Sequence, residues 1–116
     1  MQISERRAGD VTIFDLDGRL ILDEGFEPLR EKLNQAIGNG DMKVLLNFDR
    51  VSYLDSAGIG LIACKYVTMK RLGGELKLCN LHPRAYNVLN ITRLLTIFES
   101  FTTEQDALAK FSGIQN

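Results

Sequence analysis

The order of apolar and polar residues along this chain predicts both strands and helices. Residues 11–16 are rich in β-branched and aromatic side chains and follow a Gly-Asp turn, which predicts a strand paired in a hairpin with residues 2–7. The low apolar content of residues 2–7 is typical of an edge strand. Residues 44–48 are apolar except for Asn47, as expected of a central strand covered on both faces. Residues 76–79 alternate as a half-buried strand, and residues 94–98 predict the last one.

Four segments show the apolar spacing of amphipathic helices. The predicted inward-facing positions are, in chain order, Phe26, Leu29, Leu33, Ala36 and Ile37; then Ile59, Ile62, Ala63, Tyr66 and Met69; then Ala85, Val88 and Leu89; and finally Ala107, Leu108 and Phe111. Each of these stripes is expected to be core rather than a cofactor site, and we expect no cofactor.

Turn and cap residues set the expected limits of these elements. Asp17-Gly18 predicts a break after the second strand, followed by a short extended segment over residues 19–22. Pro83 suits the first position of a helix. Thr102 and Gln105 have the spacing of a capping box, which predicts Thr102 as the cap of the final helix.

Strands and helices follow one another as β-β-α-β-α-β-α-β-α. Strand–helix–strand units imply parallel pairing, whereas the first hairpin is antiparallel. The sequence therefore predicts a single α/β domain over residues 1–116, with a mixed sheet of about five strands and about four helices.

Composition and charge exclude several classes of function. The net charge is −1, from 14 basic and 15 acidic residues, and lacks the basic excess typical of nucleic-acid binding. No apolar run approaches the ~18 residues of a membrane span, and residues 1–7 lack the apolar core of a signal peptide. We therefore expect a cytoplasmic protein with no membrane span.

The cysteines and the histidine carry little chemistry. Cys64 and Cys79 are expected to be small buried hydrophobes in a reducing compartment. Cys79 and His82 have a C-x-x-H spacing, but a zinc site needs three or four ligands and no others lie nearby. We expect no metal site, and His82 is expected in a surface loop or at a helix cap.

The strand-to-helix junction at Ser56 is the strongest functional candidate. Backbone N–H groups at a helix start have no intrahelical partner and favour an anion, so a phosphate on Ser56 would be tolerated and remain visible to a partner. A plain N-cap is the alternative, since Asp and Ser both cap helices well. Gly58 and Gly60, however, each cost ~1 kcal/mol relative to alanine, which indicates close approach by another strand or by a partner.

A nucleophilic serine is a third interpretation. The hydrolase elbow requires Gly-x-Ser-x-Gly, but Leu54 stands two residues before Ser56. A general base is also needed, and the single histidine lies in a different loop. We therefore do not expect an enzyme.

Four motifs together resemble one protein family. Residues 54–60, Leu-Asp-Ser-Ala-Gly-Ile-Gly, resemble the Asp-Ser-[Ser/Ala]-Gly-[Leu/Ile]-Gly signature of the bacterial anti-sigma factor antagonists, the STAS domains. Residues 18–20 resemble the family's Gly-x-Leu, residues 73–78 its Gly-Gly-x-Leu-x-Leu, and residues 89–98 the segment leading into its last strand. The resemblance covers essentially the whole chain.

This resemblance implies a partner switch on a sheet whose helices lie mainly on one side. In that family, the unphosphorylated domain binds an anti-sigma factor, often a serine kinase of the histidine-kinase-like ATPase class, and thereby frees a sigma factor. Phosphorylation of Ser56 would break the complex, and a metal-dependent serine phosphatase would reset it. The expected partner-binding residues are Asp23, Asp55, Ser56, Ala57, Gly58, Ile59 and Gly60.

One position departs from the family pattern. Many members carry Asp directly after Gly-x-Leu, where this chain has Ile21, with Asp23 and Glu24 slightly later. Asp23 is a candidate to take over that role, or kinase recognition differs. The alternative function is a constitutive STAS scaffold in a transport or signalling complex, in which Ser56 is only a helix cap.

Overall fold

The computed structural model describes residues 1–82 and 98–111. These residues form five strands and three helices, in the order β1 (Gln2–Ala8), β2 (Val11–Leu20), α1 (Phe26–Gly38), β3 (Lys43–Leu54), α2 (Ser56–Arg71), β4 (Glu75–Cys79), β5 (Glu99–Phe101) and α3 (Glu104–Leu108). No helix in these two ranges is long and apolar enough to cross a membrane.

The five strands form one mixed sheet in the order β1-β2-β3-β4-β5. β1 pairs with β2 antiparallel, and the remaining neighbours pair in parallel. Successive right-handed crossovers that move in one direction along a sheet put their helices on one face. α1 and α2 accordingly share a face, which confirms both the predicted mixed sheet and the expectation that helices lie mainly on one side.

The two faces of the sheet carry separate apolar clusters. The larger one joins alternate residues of β2, β3 and β4, including Phe14, Leu46 and Leu78, to the inward sides of α1 and α2. The smaller one lies on the other face, where Val11, Ile13, Leu45 and Cys79 meet Ala107 of α3 and Phe111. β3 is thus covered on both sides, as its apolar run predicts.

β2 does not break at Asp17-Gly18, so that prediction is wrong. The strand continues to Leu20, because Gly18 adopts a φ of +130° and still pairs with Val51 of β3. Two register shifts, between Asp15 and Asp17 and between Gly18 and Arg19, each put an extra residue into β3. The distorted ends of the two strands finish side by side at the start of α2.

The C-terminal elements differ from expectation by short shifts in position. The last strand was predicted over residues 94–98, but β5 is Glu99–Phe101. The prediction is wrong at Phe98, which is buried but belongs to no strand. Residues 94–97 lie outside the described ranges. Thr103 rather than Thr102 caps α3, since the Thr103 hydroxyl accepts the Asp106 N–H at 3.1 Å. The helix predicted after Pro83 lies outside the described residues.

Candidate functional site

The helix cap at the end of β3 is Asp55, and Ser56 is the first residue of α2. Asp55 has extended backbone angles, and its Oδ1 accepts the Gly58 N–H at 2.9 Å. Its Oδ2 accepts the Leu22 N–H at 3.1 Å, from the loop between β2 and α1. The interpretation of Ser56 as a plain N-cap is therefore wrong, because the neighbouring carboxylate already fills that position.

The main chain of Asp55 fixes the junction as well. Its N–H donates to the Leu20 carbonyl at 3.3 Å, and its carbonyl accepts the Ile59 N–H at 3.1 Å. β2 therefore ends directly against the first turn of α2. Ser56 is exposed, and its hydroxyl has no hydrogen bond to any residue that the structure describes. A kinase could reach this side chain without opening the fold.

The two glycines of the first turns have different surroundings. A Cβ on Gly58 would lie 2.5 Å from the Leu20 carbonyl oxygen and 2.9 Å from a Leu54 methyl carbon. Gly58 is thus required for the close approach of α2 to β2, the role expected of a glycine that costs helix stability. Among the described residues, a Cβ on Gly60 would meet nothing within 4 Å, and Gly60 is exposed. These residues give no steric reason for a glycine at this position.

The expected partner-binding residues separate by exposure. Asp23, Ser56 and Gly60 are exposed, and Asp55 and Ala57 are partly exposed. Gly58 and Ile59 are buried, so they position the exposed residues rather than lie on the surface themselves. Ser56 and Gly60 are four residues apart on α2 and therefore share one face of the helix.

The β2–α1 loop, residues 21–25, packs beside this site. Glu24 accepts the Arg19 N–H at 3.1 Å and pairs with the Arg19 guanidinium at 2.7 Å, which holds the pKa of the Glu24 carboxyl below its ordinary value. The Ile21 carbonyl accepts the N–H groups of Glu24 and Phe26. Asp23 is exposed and makes no hydrogen bond or ion pair with the described residues. Of the two loop acids, Glu24 is therefore the one held by contacts within these residues.

Sequence reasoning missed two apolar residues near Ser56. Leu22 is 60% exposed and Tyr53 is 43% exposed, although both are large hydrophobic residues. The main chain of Leu22 is next to the cap, because its N–H donates to the Asp55 carboxylate. Ile21-Leu22 followed by two acids could have indicated an apolar residue in a turn, but the pattern alone does not separate it from core.

The remaining candidate groups lie apart from Ser56. His82 is in an exposed loop, as predicted, with Nε2 3.2 Å from Asp49 Oδ1. Within the described ranges, no three His, Cys, Asp or Glu side chains come together as metal ligands. Cys79 is buried, which raises the pKa of its thiol to about 12. Cys64 is exposed on α2, so the prediction that both cysteines are buried is wrong for it.

These features define a small mixed α/β domain with an exposed serine at the start of its second helix. Residues 2–107 match the STAS domain, and the chain belongs to the STAS domain family. The anti-sigma F factor antagonist of Paenibacillus polymyxa is 25% identical over 115 residues, which cover 98% of this chain and 97% of that protein. The anti-sigma-B factor antagonist of Bacillus subtilis is 39% identical over 72 residues, 61% of this chain and 64% of that protein.

Solved structures share the fold. The anti-sigma factor antagonist SpoIIAA in its unphosphorylated form matches with a TM-score of 0.72 at 22% identity, over 94% of this chain and 96% of that one. The phosphorylated form of SpoIIAA from Bacillus matches with a TM-score of 0.69 at 24% identity, over 94% of this chain and 98% of that one. At these identities the likeness extends to the fold.

Proposed function

We propose that this chain is an anti-sigma factor antagonist, a binding module without catalysis that is gated by phosphorylation of Ser56. Unphosphorylated, it binds an anti-sigma factor and thereby frees a sigma factor; phosphorylated, it releases that partner. The observation that carries the proposal is the exposure of Ser56, whose hydroxyl makes no hydrogen bond with the described residues. The exposed Gly60 lies one turn further along α2.

The helix start offers a phosphate suitable donors. Gly58 N–H is taken by the Asp55 side chain and Ile59 N–H by the Asp55 carbonyl. Within the described residues the N–H groups of Ser56 and Ala57 have no such acceptor, and a phosphate on Ser56 could use them. The helix N-terminus favours a negative charge by up to ~1 kcal/mol, whereas the neighbouring Asp55 carboxylate opposes it. The fold should therefore tolerate the modification with a small net change in stability.

The relatives support the same assignment. The Paenibacillus protein, similar over nearly its whole length, is named an anti-sigma F factor antagonist. SpoIIAA, of the same fold, is an anti-sigma factor antagonist that occurs in phosphorylated and unphosphorylated forms. We propose by analogy that the partner here is an anti-sigma factor with serine kinase activity of the histidine-kinase-like ATPase class.

The rest of the proposed cycle follows from that partner. A serine phosphatase would reset the switch, and the cycle would take place in the cytoplasm without direct contact with nucleic acid. The surface offered to the partner comprises the exposed Ser56, Gly60 and Asp23, together with the partly exposed Asp55 and Ala57.

The test is calorimetric titration of the anti-sigma factor against the wild type, Ser56→Ala and Ser56→Asp. We expect Ser56→Ala to bind as tightly as wild type and to resist switching by the kinase and ATP. Ser56→Asp should bind ~100-fold or more weakly, since a desolvated like charge at an interface costs several kcal/mol. Thr102→Asp adds the same charge on the exposed β5–α3 connection and should bind like wild type.

Two outcomes would contradict the proposal. Equal affinity for all four proteins would favour the constitutive scaffold, because the partner would then be insensitive to charge at Ser56. Kinase-dependent phosphate found by mass spectrometry only at another residue would remove Ser56 from the switch.

A further inference from the structure

We propose that a phosphate on Ser56 also acts at a distance, by loosening Leu22 from the Asp55 carboxylate, and that Leu22 is an apolar docking residue for the same partner. The inference rests on the proposed function, and it adds the β2–α1 loop to the switch. It makes Asp55 the positioning residue that connects the two.

The Asp55 carboxylate joins two elements that are distant in sequence. Oδ1 binds the Gly58 N–H within α2, three residues away, and Oδ2 binds the Leu22 N–H, 33 residues away. The first bond is local to the helix turn. The second bond holds the main chain of Leu22 against the cap. A displacement of the Asp55 carboxylate would therefore weaken or break this hydrogen bond to the loop.

Leu22 has the properties of a contact residue held in place by its main chain. Its side chain is 60% exposed, so the core does not fix it. The rest of the β2–α1 loop is held by other hydrogen bonds. Arg19 donates to the Glu24 carboxylate, and the N–H groups of Glu24 and Phe26 donate to the Ile21 carbonyl. An exposed leucine beside the phosphoacceptor has no role in the fold described here, but it can bury apolar area against a partner.

A phosphate on Ser56 would weaken the Leu22 bond selectively. The phosphate carries −1.5 to −2 charges on the residue next to Asp55, and like charges repel at that separation. The Gly58 bond lies within one helical turn, where the chain keeps donor and acceptor together. The Leu22 N–H sits in an exposed loop, where water can replace the carboxylate. We therefore expect the long-range bond to yield first.

The first experiment needs no partner. Phosphoserine is placed at position 56 of the full chain by genetic encoding, and amide hydrogen exchange is measured by NMR with and without it. Exchange at the Leu22 amide should accelerate about tenfold, which corresponds to ~1.4 kcal/mol. The Arg19 amide, which donates to Glu24 in the same loop at the same 3.1 Å, is the matched control and should change less than about twofold.

Ser56→Asp provides a second route if the phosphoprotein is poorly folded, and it should shift the Leu22 amide in the same direction by a smaller factor. An unchanged Leu22 amide in a folded phosphoprotein would overturn the relay. Equal acceleration at Leu22 and Arg19 would also overturn it, since that result reports general loosening.

The second experiment addresses docking. Leu22→Ala should weaken binding of the unphosphorylated chain to the anti-sigma factor about tenfold, whereas Leu72→Ala should leave affinity within about twofold. Leu72 is a matched control because it is 52% exposed and lies at the far end of α2. Equal effects would remove Leu22 from the interface. If Leu22 exchange responds to phosphate but the Ser56 variants all bind alike, the relay stands and the proposed function fails.

Discussion

At the scale of single residues, Asp55 holds the site together. Its side chain caps α2 and reaches the β2–α1 loop, and its main chain joins the end of β2 to the first turn of the helix. Ser56 is left with no structural task among these contacts. This division leaves Ser56 available for modification while the fold depends on its neighbour.

Stability should therefore respond to Asp55 and not to Ser56. We expect Asp55→Ala to lower the free energy of unfolding by ~1–3 kcal/mol, since it removes a cap and a second hydrogen bond to a charged acceptor. Ser56→Ala should change it by less than ~0.5 kcal/mol, as surface substitutions do. Urea denaturation of both variants measures the difference. A larger loss for Ser56→Ala than for Asp55→Ala would contradict the assignment of the cap.

Gly58 and Gly60 form a second matched pair. Gly58→Ala should destabilise the fold by ~1–3 kcal/mol, because the new Cβ overlaps the Leu20 carbonyl. Gly60→Ala should stabilise it by up to ~1 kcal/mol through helix propensity. Thermal unfolding gives both values. If the partner packs closely on α2, Gly60→Ala should also bind the anti-sigma factor more weakly; unchanged affinity would show that the partner does not approach there.

The sequence indicated this site but could not assign roles within it. The motif and the helix start could be predicted, because Asp-Ser before a helical stripe is a local pattern. Which of the two residues caps the helix could not be predicted, since Asp and Ser are equally good caps. Leu20 pairs with Leu54 at the end of the β2–β3 ladder, and Asp55 is the next residue along the chain. This contact between distant segments determines where the helix begins. Leu22 was missed because its exposure is also decided by tertiary contacts.

At the scale of elements, the start of α3 shows how far a local motif can be trusted. Thr102 and Thr103 are adjacent, and both are exposed. Only Thr103 has its hydroxyl on a helix N–H, that of Asp106. Thr103→Ala should lower the free energy of unfolding by ~1 kcal/mol, and Thr102→Ala should be nearly neutral. The reverse order in urea denaturation would restore the cap that the sequence predicted.

Strand lengths were less predictable than strand positions. β2 and β3 were each expected to end several residues early, at Asp17-Gly18 and at Phe48. Gly18 is a breaker in local terms, yet pairing with β3 holds it in the sheet at a φ that other residues rarely adopt. The extra residues in β3 disturb strict alternation, so its second half carries no clear period-two pattern.

At the scale of the molecule, Arg6 connects the first strand to the last helix. Its guanidinium pairs with Asp15 of β2 and with Glu104 of α3, both at 2.5 Å. The hydrogen bond from Arg6, helped by one from Asn47, holds the pKa of Asp15 below its ordinary value of 3.8. A carboxyl whose pKa is lowered by folding stabilises the fold above that ordinary value, and the contribution is lost as the pH falls.

Asp15→Asn should thus destabilise the protein at neutral pH by about 1 kcal/mol, a modest value because the pair is partly exposed. The difference from wild type should shrink as the pH falls below 3.8. Urea denaturation at several pH values measures it, with Asp17→Asn as the control, since Asp17 is an exposed neighbour on the same strand. A difference that grows toward acid pH would have the wrong sign.

The overall topology was the most predictable level. Alternation of strands and helices, with right-handed crossovers, leaves few arrangements for a chain of this length. The position of α3 on the second face was not predicted, because it depends on where β5 ends. The surface that a partner would recognise also lay beyond reach of the sequence, since it combines a loop, a strand end and a helix.

The strand order has a consequence for how the chain folds during synthesis. Strands lie in the sheet in the order in which a ribosome makes them. Each new strand can add to the free edge left by its predecessor, and none must insert between two that are already paired. α3 is made after all five of these strands, so Val11, Ile13 and Leu45 stay uncovered by Ala107 and Phe111 until residues 104–111 have been synthesised. A nascent chain would thus leave these sheet residues open to chaperones until that segment emerges.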